Sequence, residues 1–247
     1  MSTGIWSAAS GAVAQTTALD VASNNIANAS TPGFRADRAV FRRELNQAQG
    51  AAMGTRSLKY SLVRTVEPDR RQGQIVQTGK PLDVALKDPD QWFRVSTPQG
   101  MRYTRVGSMQ LGADGTLRTP EGFTYLDNDG SALRVRPDAQ SAAVGPHGIL
   151  SVDGIETAQR VSVVRFANPA ALVKDGSVLM RAPPNAGKPQ SVEVDLETAA
   201  VESSNASALS GMTSLVQASR EFEMVARVID AFSDMEHRTA QEVGRGK

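Results

Sequence analysis

Cysteine is absent from all 247 residues, which removes disulfides, thiol nucleophiles and cysteine metal sites together. Histidine occurs only at His147, inside a Pro/Gly turn, and at His237, beside Glu236. Neither stands in a metal-ligand spacing such as His-Glu-x-x-His, and no Gly-x-Ser-x-Gly elbow is present. Aromatic residues amount to 5% and do not interleave with the basic ones, so a nucleic-acid stacking platform has no support. A formal net charge of +1 gives no reason to expect nucleic acid or a membrane as partner. No apolar run approaches the ~20 residues that cross a bilayer, so no membrane insertion is expected. The N-terminus lacks a basic start and Asp20 interrupts its apolar pattern, which disfavours a cleaved signal peptide.

Two local patterns imitate chemistry without completing it. Gly73 to Pro81 resembles a phosphate loop, but its spacing is one residue too long and Pro81 replaces the magnesium-binding hydroxyl. Asp127-Asn-Asp129-Gly130 resembles a calcium loop, yet Tyr125 and Arg136 occupy ligand positions. Both read as turns. No catalytic residue, metal ligand or cofactor site is nominated.

What is present is an α+β pattern: terminal helices around a mostly-β middle. Residues 1–35 hold an Ala-rich helix with sparse large apolars, including Leu19 and Ile26. Such a helix buries little by itself, so it is expected to order only when neighbours surround it. Thr31-Pro32-Gly33 ends it: Pro32 biases Thr31 away from helix, and Gly33 accepts the positive φ of a type II turn. Phe34 can then anchor the exit. Residues 36–80 read as an extended connector with strands near 57–66 and 74–78. Residues 81–185 form a β-rich domain, where Leu82, Val84 and Leu86 alternate, as do Phe93 and Val95. Asp114-Gly115 marks a hairpin between Met109–Leu111 and Leu117. Residues 186–202 read as a linker, with a last extended stretch near 192–196.

Residues 203–247 form the second helix, capped by Ser203, Ser204 or Asn205. Its apolar positions are Leu209, Met212, Leu215, Val216, Phe222, Val225, Ile229, Phe232 and Met235, spaced by threes and fours that mostly sum to the coiled-coil seven. An ordinary core helix would show the same stripe. Its length, its terminal position and the matching N-terminal helix favour an assembly interface. Residues 1–75 hold nine Lys/Arg against five Asp/Glu, and residues 190–247 hold five against ten. Ends of opposite sign can attract within or between subunits, or remain simply solvated.

Several blocks carry a resemblance. Leu19-Asp-Val-Ala-Ser-Asn24-Asn25-Ile26-Ala-Asn28-Ala-Ser-Thr31-Pro-Gly33-Phe34-Arg35 resembles the N-terminal signature of the bacterial flagellar rod and hook proteins. The likeness continues through Thr78–Leu86, Tyr103-Thr-Arg-Val-Gly-Ser108, Gly112–Leu117, Val201–Asn205 and Arg220-Glu-Phe222-Glu, in the family's order. Val106 stands where that family often has Asp. Chain length is similar to that of the insert-bearing rod proteins, and Phe34-Arg-Ala-Asp37 with Glu202-Ser-Ser-Asn205 resembles the proximal-rod type more than the distal-rod type.

The resemblance implies terminal helices paired as a coiled coil that lines a tube, with the β domain outside. It also implies export unfolded through the flagellar type III apparatus, and copies of itself and other rod proteins as partners. Asn24, Asn25 and Asn28 would be interface amides, although a helix end rich in turn formers looks the same. Leu19, Ile26, Phe34 and the helix positions from Leu209 to Phe232 complete the expected assembly interface. The competing reading is a β binding module with a coiled-coil oligomerisation tail.

Overall fold

The computed structural model describes residues 3–45 and 60–245. The connector's Ala/Gly stretch and the first residues of its expected 57–66 strand lie outside them. The chain divides into two compact units, one of residues 1–27, 37–67 and 207–247, the other of residues 28–36 and 68–206.

The first unit contains helix α1 (Thr3–Ala27), helix α2 (Ala208–Arg245) and a two-stranded ribbon of Asp37–Leu45 with Tyr60–Pro68. The strand Asp37–Leu45 was not expected, since its basic run lacks a clear alternation; it forms by pairing with the later strand. The two helices pack side by side. A Cβ added at Gly11 would lie 3.7 Å from Val225, and one added at Gly211 would lie 2.6 Å from Ile26. As α1 advances from Gly11 to Ile26, its neighbours on α2 run back from Val225 to Gly211, so the pair is antiparallel. Ala14, Ala22 and Ala218 are buried along the contact. Small side chains thus supply the neighbour that α1 needs from within the chain.

The cap of α2 is Ser207 and not an earlier residue. The Ser207 Oγ accepts the Ser210 N–H at 3.4 Å, and its carbonyl accepts the Gly211 N–H at 2.8 Å. No helix among the described residues is long and apolar enough to cross a membrane.

The second unit is mostly β, with short 3-10 turns at Pro169–Ala171 and Pro184–Ala186. Its main sheet runs in the order Val173–Lys174, Leu179–Arg181, Gly100–Thr104, Gln91–Thr97, Thr124–Tyr125, Leu117–Arg118 and Gln110–Leu111. Val163–Arg165 pairs on Gln91–Thr97 as well, and Gln190–Ser191 pairs on Val163–Arg165. Successive side chains point to opposite faces, and both faces are covered. Phe93, Val163 and Leu179 enter the larger core with Val84, Leu86 and Tyr125; Trp92, Val164 and Met180 enter a second cluster with Tyr103 and Phe166. Phe93 meets Tyr125 edge to face at 6.1 Å, and Tyr103 meets Phe166 likewise at 4.8 Å.

The Asp114-Gly115 hairpin is present, with Leu111 opposite Leu117 and Gly115 at φ +76. Asp127 folds its carboxylate onto its own turn, accepting the N–H groups of Asp129 and Ser131 at 3.0 and 2.9 Å. The strand Val84–Leu86 is buried on both faces, where alternation had indicated one.

Residues 186–202 are built into this unit, contrary to the expected linker. Ala186 is fully buried. Leu196–Thr198 pairs with Val84–Leu86, and Ala200–Glu202 pairs with Ile75–Gln77. The reason is apolar: Val194, Leu196 and Ala200 supply core surface that a free segment would expose.

Candidate assembly interface

The stripe predicted on α2 separates into two kinds of position. Gly211, Leu215, Ala218, Phe222, Val225, Ile229 and Phe232 recur at alternating steps of four and three, the spacing of a seam between two helices. Ala218 is buried, Leu215, Val225, Ile229 and Phe232 are half-buried, and Phe222 lies at the margin. Leu209, Met212 and Val216 lie off that line and are 74%, 53% and 51% exposed. Met224, Val228 and Met235 are comparably exposed on α2. Large apolar residues alone do not separate seam from outer positions; Gly211 and Ala218, by their place in the three–four spacing, are the signal in the sequence that does.

On α1, Leu19 and Ile26 are half-buried, with Ile26 against Gly211. The three asparagines bond within the chain. Asn24 Nδ2 donates to Asp37 Oδ2 at 2.7 Å, and Asn25 Nδ2 donates to the Asp37 carbonyl at 2.8 Å. The Asp37 N–H returns a bond to Asn25 Oδ1 at 2.8 Å. These bonds fasten the end of α1 to the start of the ribbon. The Asn28 Oδ1 accepts the Thr31 hydroxyl at 3.3 Å in the turn that follows.

In the β unit the predicted turn is realised: Gly33 has φ +70, and a Cβ there would sit 2.5 Å from the Val106 nitrogen. Phe34 is fully buried with Val106 and Val178, beneath the Lys174 ammonium at 3.9 Å from its ring centre. It offers no surface to another subunit. An apolar residue suits position 106 for the same reason, since a carboxylate there would enter an apolar cluster.

Beside Phe34 lies a buried charge cluster that no local pattern announced. Glu202 is 1% exposed, Arg105 1% and Arg35 3%. Arg105 Nε donates to Glu202 Oε2 at 2.8 Å, and Arg35 Nη2 stands 3.1 Å from Glu202 Oε1. Arg105 also donates to the carbonyls of Asp88, Gln91 and Leu86, while Arg35 donates to those of Arg70 and Arg71. Glu202 Oε1 takes the Gly73 N–H at 3.0 Å. Burial draws both guanidiniums below their ordinary range, and the Glu202 charge opposes that shift. Asn205 closes the cluster: its Oδ1 accepts the Ala36 N–H at 2.6 Å, and its Nδ2 donates to the carbonyls of Asp69 and Arg71.

This arrangement holds backbone in place. His147 is exposed in its turn and His237 on α2. Among the described residues, no three of His, Cys, Asp or Glu converge as a metal site.

Comparison with known proteins agrees with the geometry. The family described as flagella basal body rod protein matches residues 5–35. The D1 domain of the flagellar hook protein FlgE/F/G matches residues 88–152, and the C-terminal region of the flagellar basal body rod FlgEFG proteins matches residues 197–242. The flagellar basal-body rod protein FlgG of Bacillus subtilis is 31% identical over 246 residues, covering 91% of this chain and 93% of the relative. FlgF of Rhizobium meliloti is 30% identical, covering 93% of this chain and 92% of that protein. FlgF of Caulobacter vibrioides is 28% identical over 92% of each chain. Full-length similarity of this kind, with matches at both helical ends and in the β region, places the chain in the family of flagellar basal-body rod proteins.

Proposed function

We propose that this protein is a structural subunit of the proximal segment of the flagellar rod, polymerising through its terminal helices into a tubular shaft that transmits torque. The observation that carries the reading is the apolar surface left on α2 after its seam has met α1: Leu209 at 74% exposed, with Met212 and Val216 about half exposed. Surface of that kind on a member of a rod family marks contact with further subunits. The three–four spacing of the seam supports a coiled-coil pairing of α1 and α2. A closed trimer formed by α2 alone is disfavoured, because α1 already occupies that seam.

The proximal assignment is favoured by Phe34-Arg-Ala-Asp37 and Glu202-Ser-Ser-Asn205. Relatives named FlgF and FlgG match at similar identity, and the distal-rod role is the second reading. Partners would be copies of this chain and other rod proteins, after export through the type III apparatus without a cleaved signal. The site of action would be the basal body, where the rod crosses the periplasm. The test is deletion of the gene followed by imaging of isolated basal bodies. Rods missing or truncated are expected; intact rods with normal swimming would overturn the proposal.

A further inference from the structure

Apart from Phe222, at the margin of the seam, the exposed large apolar residues of α2 fall into two patches on opposite sides of it. In a seven-residue repeat each position advances about 103°. Leu209, Met212 and Val216 then lie roughly 80–130° to one side of the seam, and Met224, Val228 and Met235 lie equally far to the other side. All six are exposed, from 47% at Val228 to 74% at Leu209. The patches are also displaced along the helix: the first occupies its beginning and the second its later half. Beyond the first patch, its flank turns acidic at Glu223 and Asp230; the flank of the second ends in Arg238.

Displaced patches on opposite flanks are what a head-to-tail contact requires. In such a contact one surface of a subunit meets a different surface of the next, and the series stays open. Side-by-side copies facing the same way bring the right flank of one helix against the left flank of its neighbour. For apolar to meet apolar, the neighbour must slide along the axis. A slide of 15 residues sets Leu209 against Met224, and a slide of 16 sets Met212 against Val228. The 15-residue slide also sets Glu223 against Arg238, two exposed groups of opposite charge.

We infer that α2 docks against a second copy of this chain in parallel, its Leu209/Met212/Val216 flank on the neighbour's Met224/Val228/Met235 flank, with a stagger of about 22 Å at 1.5 Å per residue. This rests on the assembly role proposed above and adds the partner's matching surface, orientation and offset. Only the copy at each end of a row leaves one patch uncovered, so growth continues from both ends and no closed dimer forms.

The absence of native cysteine makes the test direct. Full-length L209C and M224C chains are purified, concentrated separately and together, and oxidised. A disulfide dimer at least tenfold more abundant in the mixture than in either variant alone is expected, and the double variant L209C/M224C should give a ladder of oligomers. In that double-cysteine background, E223R and R238E should each weaken the ladder, and the two together should restore it. Dimers from L209C alone, equal yields in all samples, or no disulfide in the mixture would overturn the pairing. Rods that still form in cells carrying L209C/M224C, yet yield no ladder on oxidation, would remove the stagger and leave the rod role standing. Basal bodies indifferent to loss of the gene would remove the role itself.

Discussion

Replacing Glu202 by Gln tests whether the buried cluster holds the β unit together. Among the described residues, Glu202 is the one carboxylate paired with two guanidiniums, and all three side chains are almost wholly buried. The amide keeps the shape and one acceptor oxygen but removes the charge, leaving Arg35 and Arg105 facing each other in a poorly hydrated site. Breaking a buried ion pair from one side costs about 3–5 kcal/mol, because a charge is stranded. The retained acceptor argues for the lower end, about 3 kcal/mol. Against a total of about 5–15 kcal/mol for an ordinary domain, that is a large fraction. With a urea dependence of roughly 2 kcal/mol per molar, the midpoint should fall by about 1.5 M.

The readout is fluorescence of Trp92, buried in this unit, in a Trp6→Phe background that leaves one indole. The triple variant R35M/R105M/E202M should lose at least about 3 kcal/mol less than the sum of its three single substitutions, since no charge is left alone. A Glu202→Gln protein within about 1 kcal/mol of wild type, or strict additivity of the three, would refute the argument.

Other expectations follow from single positions. Gly107→Ala would set a Cβ 1.6 Å from the Val84 carbonyl oxygen, so the β unit should lose about 3 kcal/mol or fail to fold, as urea titration would show. Ala199 is held at φ +53, a conformation costing a non-glycine residue about 1–2 kcal/mol; after glycine's entropic penalty, Ala199→Gly should gain about 0.5–1 kcal/mol in the same assay. Gly211→Leu should overpack the helix seam against Ile26 and lower the thermal midpoint of the helical circular-dichroism signal, at a cost of about 2 kcal/mol; an unchanged midpoint would contradict the close approach. The Asp114 carboxyl, held by the Thr116 hydroxyl and then by Arg118, titrates at about 2 against an ordinary 3.8. Its folded value is the lower one, so its contribution is complete above the ordinary value and disappears as pH falls through about 2. A carboxyl NMR midpoint near 3.8 would contradict these bonds.

Much of the local structure was legible in the residues. Thr31-Pro32-Gly33 stops α1, Phe34 anchors the exit, and Asp114-Gly115 makes its hairpin, because φ preference and a single apolar side chain act over a few positions. The cluster was not legible: Arg105 and Glu202 are 97 residues apart, and an isolated Arg or Glu in sequence looks like a solvated one. The late strands were hidden for a related reason. Two or three residues such as Ala200–Glu202 carry almost no periodicity and become strands only through Ile75–Gln77. On α2 the apolar residues were found, but the division between seam and outer flank depended on where Gly211 and Ala218 let α1 approach.

The β unit is stitched shut by its own first and last residues. The Gly33 N–H donates to the Glu202 carbonyl at 2.8 Å, and the Asn205 N–H donates to the Phe34 carbonyl at 3.3 Å. During vectorial synthesis, some 170 residues separate the first stitch from its partner, so the unit cannot close until the far end arrives. Such late closure carries a loop-entropy cost that slows acquisition of the native state. A chain still emerging therefore stays pliable, and one truncated before residue 196 would lack the strands that complete the unit at all.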